Sequence, residues 1–263
     1  MNIILFDAPQ VRENLLPLTF TRPIADFRVG ITTIREKWEK ILPGDYSYLT
    51  VGYLSEKYPM TQAADTLFVA GHVIPDYSEA FAATVASLGE GEALSCGGET
   101  VAFRGDMRSF SDGAYRSVKE WDGSLTSIHF VYDIFLVNGP QIEKDFAQLD
   151  LGDSQTLSPS NTLIGDAVGA GGRRRLYIAP GATVEGAVIN VKGGPVYIGR
   201  DAEVMEGCCL RGPVALCEHA VFNMGTKVYP ATTVGPWSKM GGELNNAVIF
   251  GFSNKAHDGF LGN

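Results

Sequence analysis

The chain has 263 residues, 45% apolar and 19% charged, which suits a soluble globular protein with room for two domains that each bury a core. Thirty acidic against 21 basic residues leave a formal charge of −9, which argues against a nucleic-acid partner, since that would require a basic face. Cys96, Cys208, Cys209 and Cys217 have no framework spacing, and Met1 to Phe6 is too short for a signal peptide or span, so we expect reduced thiols, no membrane partner and a cytoplasmic location.

Asn2 to Phe6 reads as a buried first strand. Between Ile31 and Leu42, the residues Ile34, Trp38 and Ile41 recur at helical spacing with charged residues between them. Leu67 to Ala70 reads as a second buried strand stopped by Gly71, and Ser78 to Leu88 as an Ala-rich helix with Ser78 as its cap. Thr100 to Phe103 and Leu125 to Phe130 look like strands around polar turns, and Ile142 to Leu149 like a short helix leaving the domain. This alternation predicts an α/β domain over 1–150, followed by a linker over 151–161 rich in Ser, Asp, Gly and Pro. Arg173, Arg174 and Arg175 beside Gly171 and Gly172 read as a solvated loop.

Further on, an apolar residue returns every sixth position: Ile198, Val204, Leu210, Leu216, Phe222, Val228, Val234 and Met240. The fourth position after each of the first seven is small or β-branched: Ala202, Cys208, Val214, Ala220, Thr226, Thr232 and Ser238. A period of six fits neither a helix nor a simple strand, but it does fit a chain that turns a corner every six residues. Three such strands close one coil, and coils stack through parallel ladders about 4.8 Å apart. The spacing therefore predicts a parallel β-helix of hexapeptide repeats over 162–263. It starts loosely near Leu163, Ile178 and Val184, and resumes at Ile198 after a loop at Lys192-Gly193-Gly194. After Met240 the phase slips by three and picks up at Ile249. Because the chain stops inside a coil, we expect either a C-terminal truncation or an end covered by another copy.

Two segments carry a resemblance. Pro17-Leu18-Thr19-Phe20-Thr21-Arg22-Pro23 resembles the pattern of sugar-1-phosphate nucleotidyltransferases, in which a Gly-rich loop and an Arg lead into Pro-Leu-Thr and then Pro-Lys. Phe68-Val69-Ala70-Gly71-His72-Val73-Ile74-Pro75 resembles that family's strand ending in Gly-Asp-x-Pro, whose Asp binds Mg²⁺. This chain departs from the pattern: Asp7 to Arg12 contains no glycine, Ile24 stands in place of the Lys, and His72 stands in place of the Asp. By the resemblance, Arg12, Thr19, Arg22 and Arg28 are the nucleotide and phosphate ligands. Asp76 and Asp133 are the remaining candidates for Mg²⁺. His129, in an apolar stretch, reads as structural.

The second segment is Gly242 to Ile249 together with Ser253 to Gly262. It resembles the acetyl-transfer coil of the bifunctional N-acetylglucosamine-1-phosphate uridylyltransferase and glucosamine-1-phosphate acetyltransferase family. There a His stands five residues before an aliphatic-Gly pair, as His257 stands before Gly262. The resemblance implies that His257 is the catalytic base and acetyl-CoA the acyl donor. Lys227, Tyr229, Glu243, Asn245 and Lys255 are implied as sugar-phosphate contacts. A His with a pKa near about 6.5 can take the ammonium proton at neutral pH. His219 reads as a surface corner residue, and Trp237 as one that packs on a neighbouring subunit or on the first domain.

The fold expected is thus α/β plus all-β: a reduced nucleotidyltransferase-like (Rossmann-like) domain followed by a left-handed parallel β-helix. The resemblance implies a homotrimer that uses a nucleoside triphosphate and a sugar 1-phosphate; a non-catalytic nucleotide-sugar sensor or scaffold is the alternative. A zinc carbonic anhydrase on the same helix needs three histidines, and the repeat region offers only His219 and His257.

Overall fold

The computed structural model describes residues 1–63 and 65–262. Ala64 and Asn263, the last residue assigned above to the β-helix, lie outside the described residues. The chain forms two compact units: Met1–Phe27 with Thr33–Asp133, and Arg28–Thr32 with Ile134–Asn263.

In the first unit, β1 (Asn2–Phe6) lies between β2 (Asp45–Leu49) and β3 (Thr66–Ala70), parallel to both. Ile3, Ile4 and Leu5 are buried, as are all five residues of β3, because strands covered on both faces want continuous apolar runs. Beyond the short β4 (Val73–Ile74), β5 (Glu92–Cys96) and β6 (Glu99–Arg104) extend the sheet antiparallel, and β7 (Ser117–Glu120) adds its edge. The order is β2-β1-β3-β6-β5-β7, with β4 and β8 (Thr126–Ser127) in a separate antiparallel ribbon. Helix α1 (Pro9–Asn14) follows β1 directly. Helix α2 (Ile34–Ile41) starts at a capping box: the Thr33 hydroxyl accepts from Glu36 N–H, and the Glu36 carboxylate accepts from Thr33 N–H at 2.6 Å. Ser78 caps α3 (Glu79–Ala86) by accepting from Phe81 N–H, and Asp106 caps the short α4 (Met107–Ser111).

Two expected elements differ. Of the strand predicted over Leu125 to Phe130, only Thr126–Ser127 is strand. The Asp133 carboxylate accepts from the N–H groups of His129 and Phe130, each at 2.8 Å, so the chain turns into helix there. The helix predicted over Ile142 to Leu149 is the end of the longer α5 (Val131–Gln148), which runs through Gly139-Pro140. Among the described residues, no helix is long and apolar enough to cross a membrane.

In the second unit, the six-residue rhythm becomes three stacked parallel sheets, consistent with a left-handed β-helix. One inward column runs through Ile178, Ile198, Leu216, Val234 and Ile249. A second runs through Val184, Val204, Phe222 and Met240, and a third through Leu163, Ile189, Leu210, Val228, Leu244 and Leu261. The small series is inside as well: Ala202, Cys208, Val214, Ala220, Thr226, Thr232 and Ser238 are all buried. Two of the three hydroxyls there bond to backbone, Thr226 to the Asn223 carbonyl at 2.6 Å and Ser238 to the Phe250 carbonyl at 3.1 Å, while the buried Thr232 hydroxyl has no hydrogen-bond partner among the described residues. Corner residues Asp201, His219, Trp237 and Phe252 share φ of 54°, 54°, 58° and 61°, and the His219 and Trp237 rings stack at 4.0 Å.

The coil length marks where regularity ends. Val196 pairs with Val214 and Val214 with Thr232, each eighteen residues on, whereas Thr233 pairs with Val248 only fifteen on. That is the three-residue slip seen in the sequence. In the shortened coil Lys255 takes the position paired with Met240, and its ammonium donates to the carbonyls of Gly241, His257 and Gly259 at 2.6, 3.0 and 2.8 Å.

The second unit also includes five residues from early in the chain. Gly30 N–H donates to the Asn138 side chain at 2.7 Å, and Ile31 and Thr32 N–H groups donate to the Asp145 carboxylate at 2.8 and 3.1 Å. Gly30 has φ of +85°, and a Cβ there would fall 2.5 Å from that carboxylate.

Candidate functional site

In open α/β sheets, ligands bind outside the carboxyl ends of the parallel strands. Here that edge is formed by the residues after β1 and β3, tied together by Gly71 N–H donating to the Phe6 carbonyl at 2.9 Å. A Cβ on Gly71 would come within 3.1 Å of that carbonyl oxygen and 3.3 Å of Ala25 Cβ, so glycine permits the close approach.

After β1, Arg12 turns inward. Its guanidinium, 7% exposed as a residue, donates to the Asp7 carboxylate at 3.3 Å, the Thr19 carbonyl at 2.5 Å and the Tyr53 hydroxyl at 2.8 Å. Thr19, also buried, returns a bond from its hydroxyl to the Arg12 carbonyl at 2.9 Å. Asp7 further accepts from Ile24 N–H and the Thr50 hydroxyl. Burial pushes the Asp7 carboxyl up from its ordinary pKa, while the bonds from Thr50 and Ile24 and the charge of Arg12 pull it back. Arg12 and Thr19 are therefore brought together as a clip across the strand edge. Arg22 is half-buried in the same unit; Arg28 belongs to the second unit and donates to the Ile31 carbonyl.

After β3 comes a group that sequence reasoning did not assemble. His72 is buried, and neither ring nitrogen has a hydrogen-bond partner. Its Nε2 stands 3.7 Å from Glu99 Oε2, and the same oxygen lies 3.4 Å from His129 Nε2. The rings of His72 and His129 are 5.4 Å apart, and the Ser127 hydroxyl is 2.8 Å from His129 Nε2. Burial, and then the neighbouring His129, push the His72 pKa down to about 4, which keeps the imidazole neutral at pH 7. Asp76 and Asp133 are engaged elsewhere: Asp76 accepts from the Ser78 hydroxyl at 2.9 Å, and Asp133, in the first turn of α5, accepts from the N–H groups of His129 and Phe130. Two imidazoles and one carboxylate do not suit Mg²⁺, which wants oxygen ligands.

In the β-helix, the strand pairing sets Lys227 beside Glu243, and both line a surface groove of about 530 Å³ with Asp258 and Phe260. Asn245 pairs with Gly262, and Tyr229 N–H donates to the Leu244 carbonyl; neither residue lines the groove. The Lys255 ammonium is committed to the three carbonyls named above. His257, exposed, adjoins the groove residue Asp258 in sequence.

Glu99 and His129 are the residues the sequence did not single out for chemistry. The signal was faint: two histidines flanking short strands whose pairing, Val73 with Ser127, only the fold reveals. No curated protein matches the chain. The family profile described as sugar nucleotidyl transferase matches residues 3–154, more than half of the chain. The chain belongs to the sugar nucleotidyl transferase family.

Proposed function

We propose that the protein forms a nucleotide sugar, UDP-N-acetylglucosamine, from a nucleoside triphosphate and a sugar 1-phosphate, and that its β-helix supplies N-acetylation from acetyl-CoA. The family membership of residues 3–154 carries the nucleotidyl half of this reading. In that reaction a phosphate oxygen of the sugar attacks the α-phosphorus in line, and pyrophosphate leaves. Catalysis is positioning and charge stabilisation, so cations at the strand edge are the groups to test. Arg22 is the nearest of the proposed ligands in sequence to the Arg12–Thr19 clip, which holds the edge in shape. Mg²⁺ would arrive with the triphosphate as part of the substrate.

The acetyl half rests on the groove lined by Lys227, Glu243 and Asp258 in the shortened coil. The imidazole of His257 takes a proton from the ammonium of glucosamine 1-phosphate. The freed amine attacks the thioester carbonyl, and coenzyme A leaves as its thiol after the tetrahedral intermediate collapses. The proposed assembly is a homotrimer in the cytoplasm.

One observation favours a second reading, a nucleotide-sugar sensor without turnover: the Arg12 guanidinium already bonds to Asp7, Thr19 and Tyr53. The two are separated by measuring pyrophosphate release with UTP and N-acetylglucosamine 1-phosphate, and thiol release with acetyl-CoA and glucosamine 1-phosphate. We expect both products, a fall of roughly 10²-fold or more in thiol release for His257→Ala, and unchanged pyrophosphate release in that variant. Saturable nucleotide-sugar binding with neither product would establish the sensor instead. Full thiol release by His257→Ala would remove His257 from the reaction.

A further inference from the structure

We propose that His72, Glu99 and His129 form a binding site for a divalent first-row transition metal, with Zn²⁺ as the ion that suits it best. The inference goes beyond the nucleotidyl-transfer reading and stands without it.

The geometry points to a shared ion. Zinc bonds to imidazole nitrogen and carboxylate oxygen are about 2.0–2.2 Å, so two donors on a tetrahedral ion lie roughly 3.4 Å apart. Glu99 Oε2 lies 3.7 Å from His72 Nε2 and 3.4 Å from His129 Nε2, and one donor atom from each of the three residues falls within 4.8 Å of the others. A distance of 3.7 Å is too long for a hydrogen bond, yet right for two ligands of one cation. Both ring nitrogens of buried His72 lack a hydrogen-bond partner, and a buried polar atom left so is costly. An ion bonded to Nε2 removes part of that cost.

The scaffold around the three is ordered by backbone. The His72 carbonyl accepts from Ile128 N–H at 3.0 Å, which continues the β4–β8 pairing and fixes the two histidine segments side by side. Glu99 begins β6 and is exposed, which leaves an entry path from solvent. Three protein ligands leave a fourth position, where the Ser127 hydroxyl or a solvent oxygen is within reach. Imidazole with carboxylate selects Zn²⁺ and its neighbours over Mg²⁺.

Cobalt(II) is the probe, because its visible d–d absorption reports low-coordinate binding directly. The full chain, stripped with a chelator, is titrated with CoCl₂ and then with ZnCl₂. We expect one equivalent of Co²⁺ to give saturable visible bands that Zn²⁺ abolishes and excess Mg²⁺ leaves in place. Glu99→Gln and His129→Ala, both at residues that are not fully buried, should keep their far-UV circular dichroism. Each should weaken Co²⁺ binding by more than roughly 100-fold, beyond what loss of an outer-shell partner does. The chain has four histidines, so His219→Ala and His257→Ala are the controls and should bind as the parent does. The proposal is overturned if the parent shows no saturable band, if the band survives both Glu99→Gln and His129→Ala, or if either control abolishes it.

Discussion

The two units place their buried polar groups differently. In the β-helix, buried hydroxyls such as Thr226 and Ser238 bond to nearby carbonyls at the corners, while the inward columns remain apolar coil after coil. In the first unit, charged and ionisable groups collect where the parallel strands end: Asp7 and Arg12 after β1, and His72 after β3. A repeat spreads its stability over equivalent layers, each resting on its neighbours. The strand edge instead concentrates polar groups whose burial is costly unless each has a partner. Among the described residues, the inward column that admits a charge is the second, where Lys255 follows Met240, in the shortened coil.

The largest effect should come from opening the regular columns. Phe222→Ala removes a fully buried ring between Val204 and Met240, and should cost about 3–5 kcal/mol. Hydrogen exchange read by mass spectrometry should show the loss in the coil peptides and not in β1 or β3. Equal deprotection of both units would break the contrast drawn above. Next in size is Arg12→Ala, which leaves the buried Asp7 carboxylate without its cation and should cost about 3 kcal/mol in urea unfolding. A cost near zero would mean that the clip does not hold the strand edge.

The smallest effect concerns the rim of the first sheet. Glu92 accepts from Lys119 Nζ at 2.7 Å and Gly89 N–H at 2.8 Å; the bond from Lys119, then that from Gly89, pull its pKa from 4.5 down to about 2. A carboxyl with a depressed folded-state pKa adds stability above pH 4.5 that is lost as pH falls toward 2. Glu92→Gln should therefore flatten that part of the Tm–pH curve, and added salt should narrow the difference from the parent. An unchanged slope between pH 4.5 and 2 would assign the acid limb to other carboxylates.

How much was legible follows from the same contrast. The columns through Leu216, Phe222 and Val228 are readable because each layer repeats the last at a fixed interval. The slip after Met240 is readable too, though not that Lys255 would pair with Met240 and satisfy three carbonyls. The clip of Arg12, Asp7 and Thr19 is local enough to be glimpsed as a motif, but the inward turn of the guanidinium depends on Tyr53, forty-one residues on. The His72 group needed two strand pairings at once, β4 with β8 and the placement of β6 beside β3, and neither leaves a periodic trace. The start of α5 was hidden by Gly139-Pro140, which reads as a breaker until the helix is seen to continue through it.

Arg28–Thr32 has a consequence for synthesis. Ile31 leaves the ribosome 114 residues before Asp145, the residue whose carboxylate receives its N–H. The N–H groups of Gly30, Ile31 and Thr32 must wait, turned to water, until α5 has been made. A fragment beginning at Ile134 would lack it altogether, leaving the Asp145 carboxylate without the Ile31 and Thr32 donors. The unit boundary is therefore not a place where the gene can be cut in two.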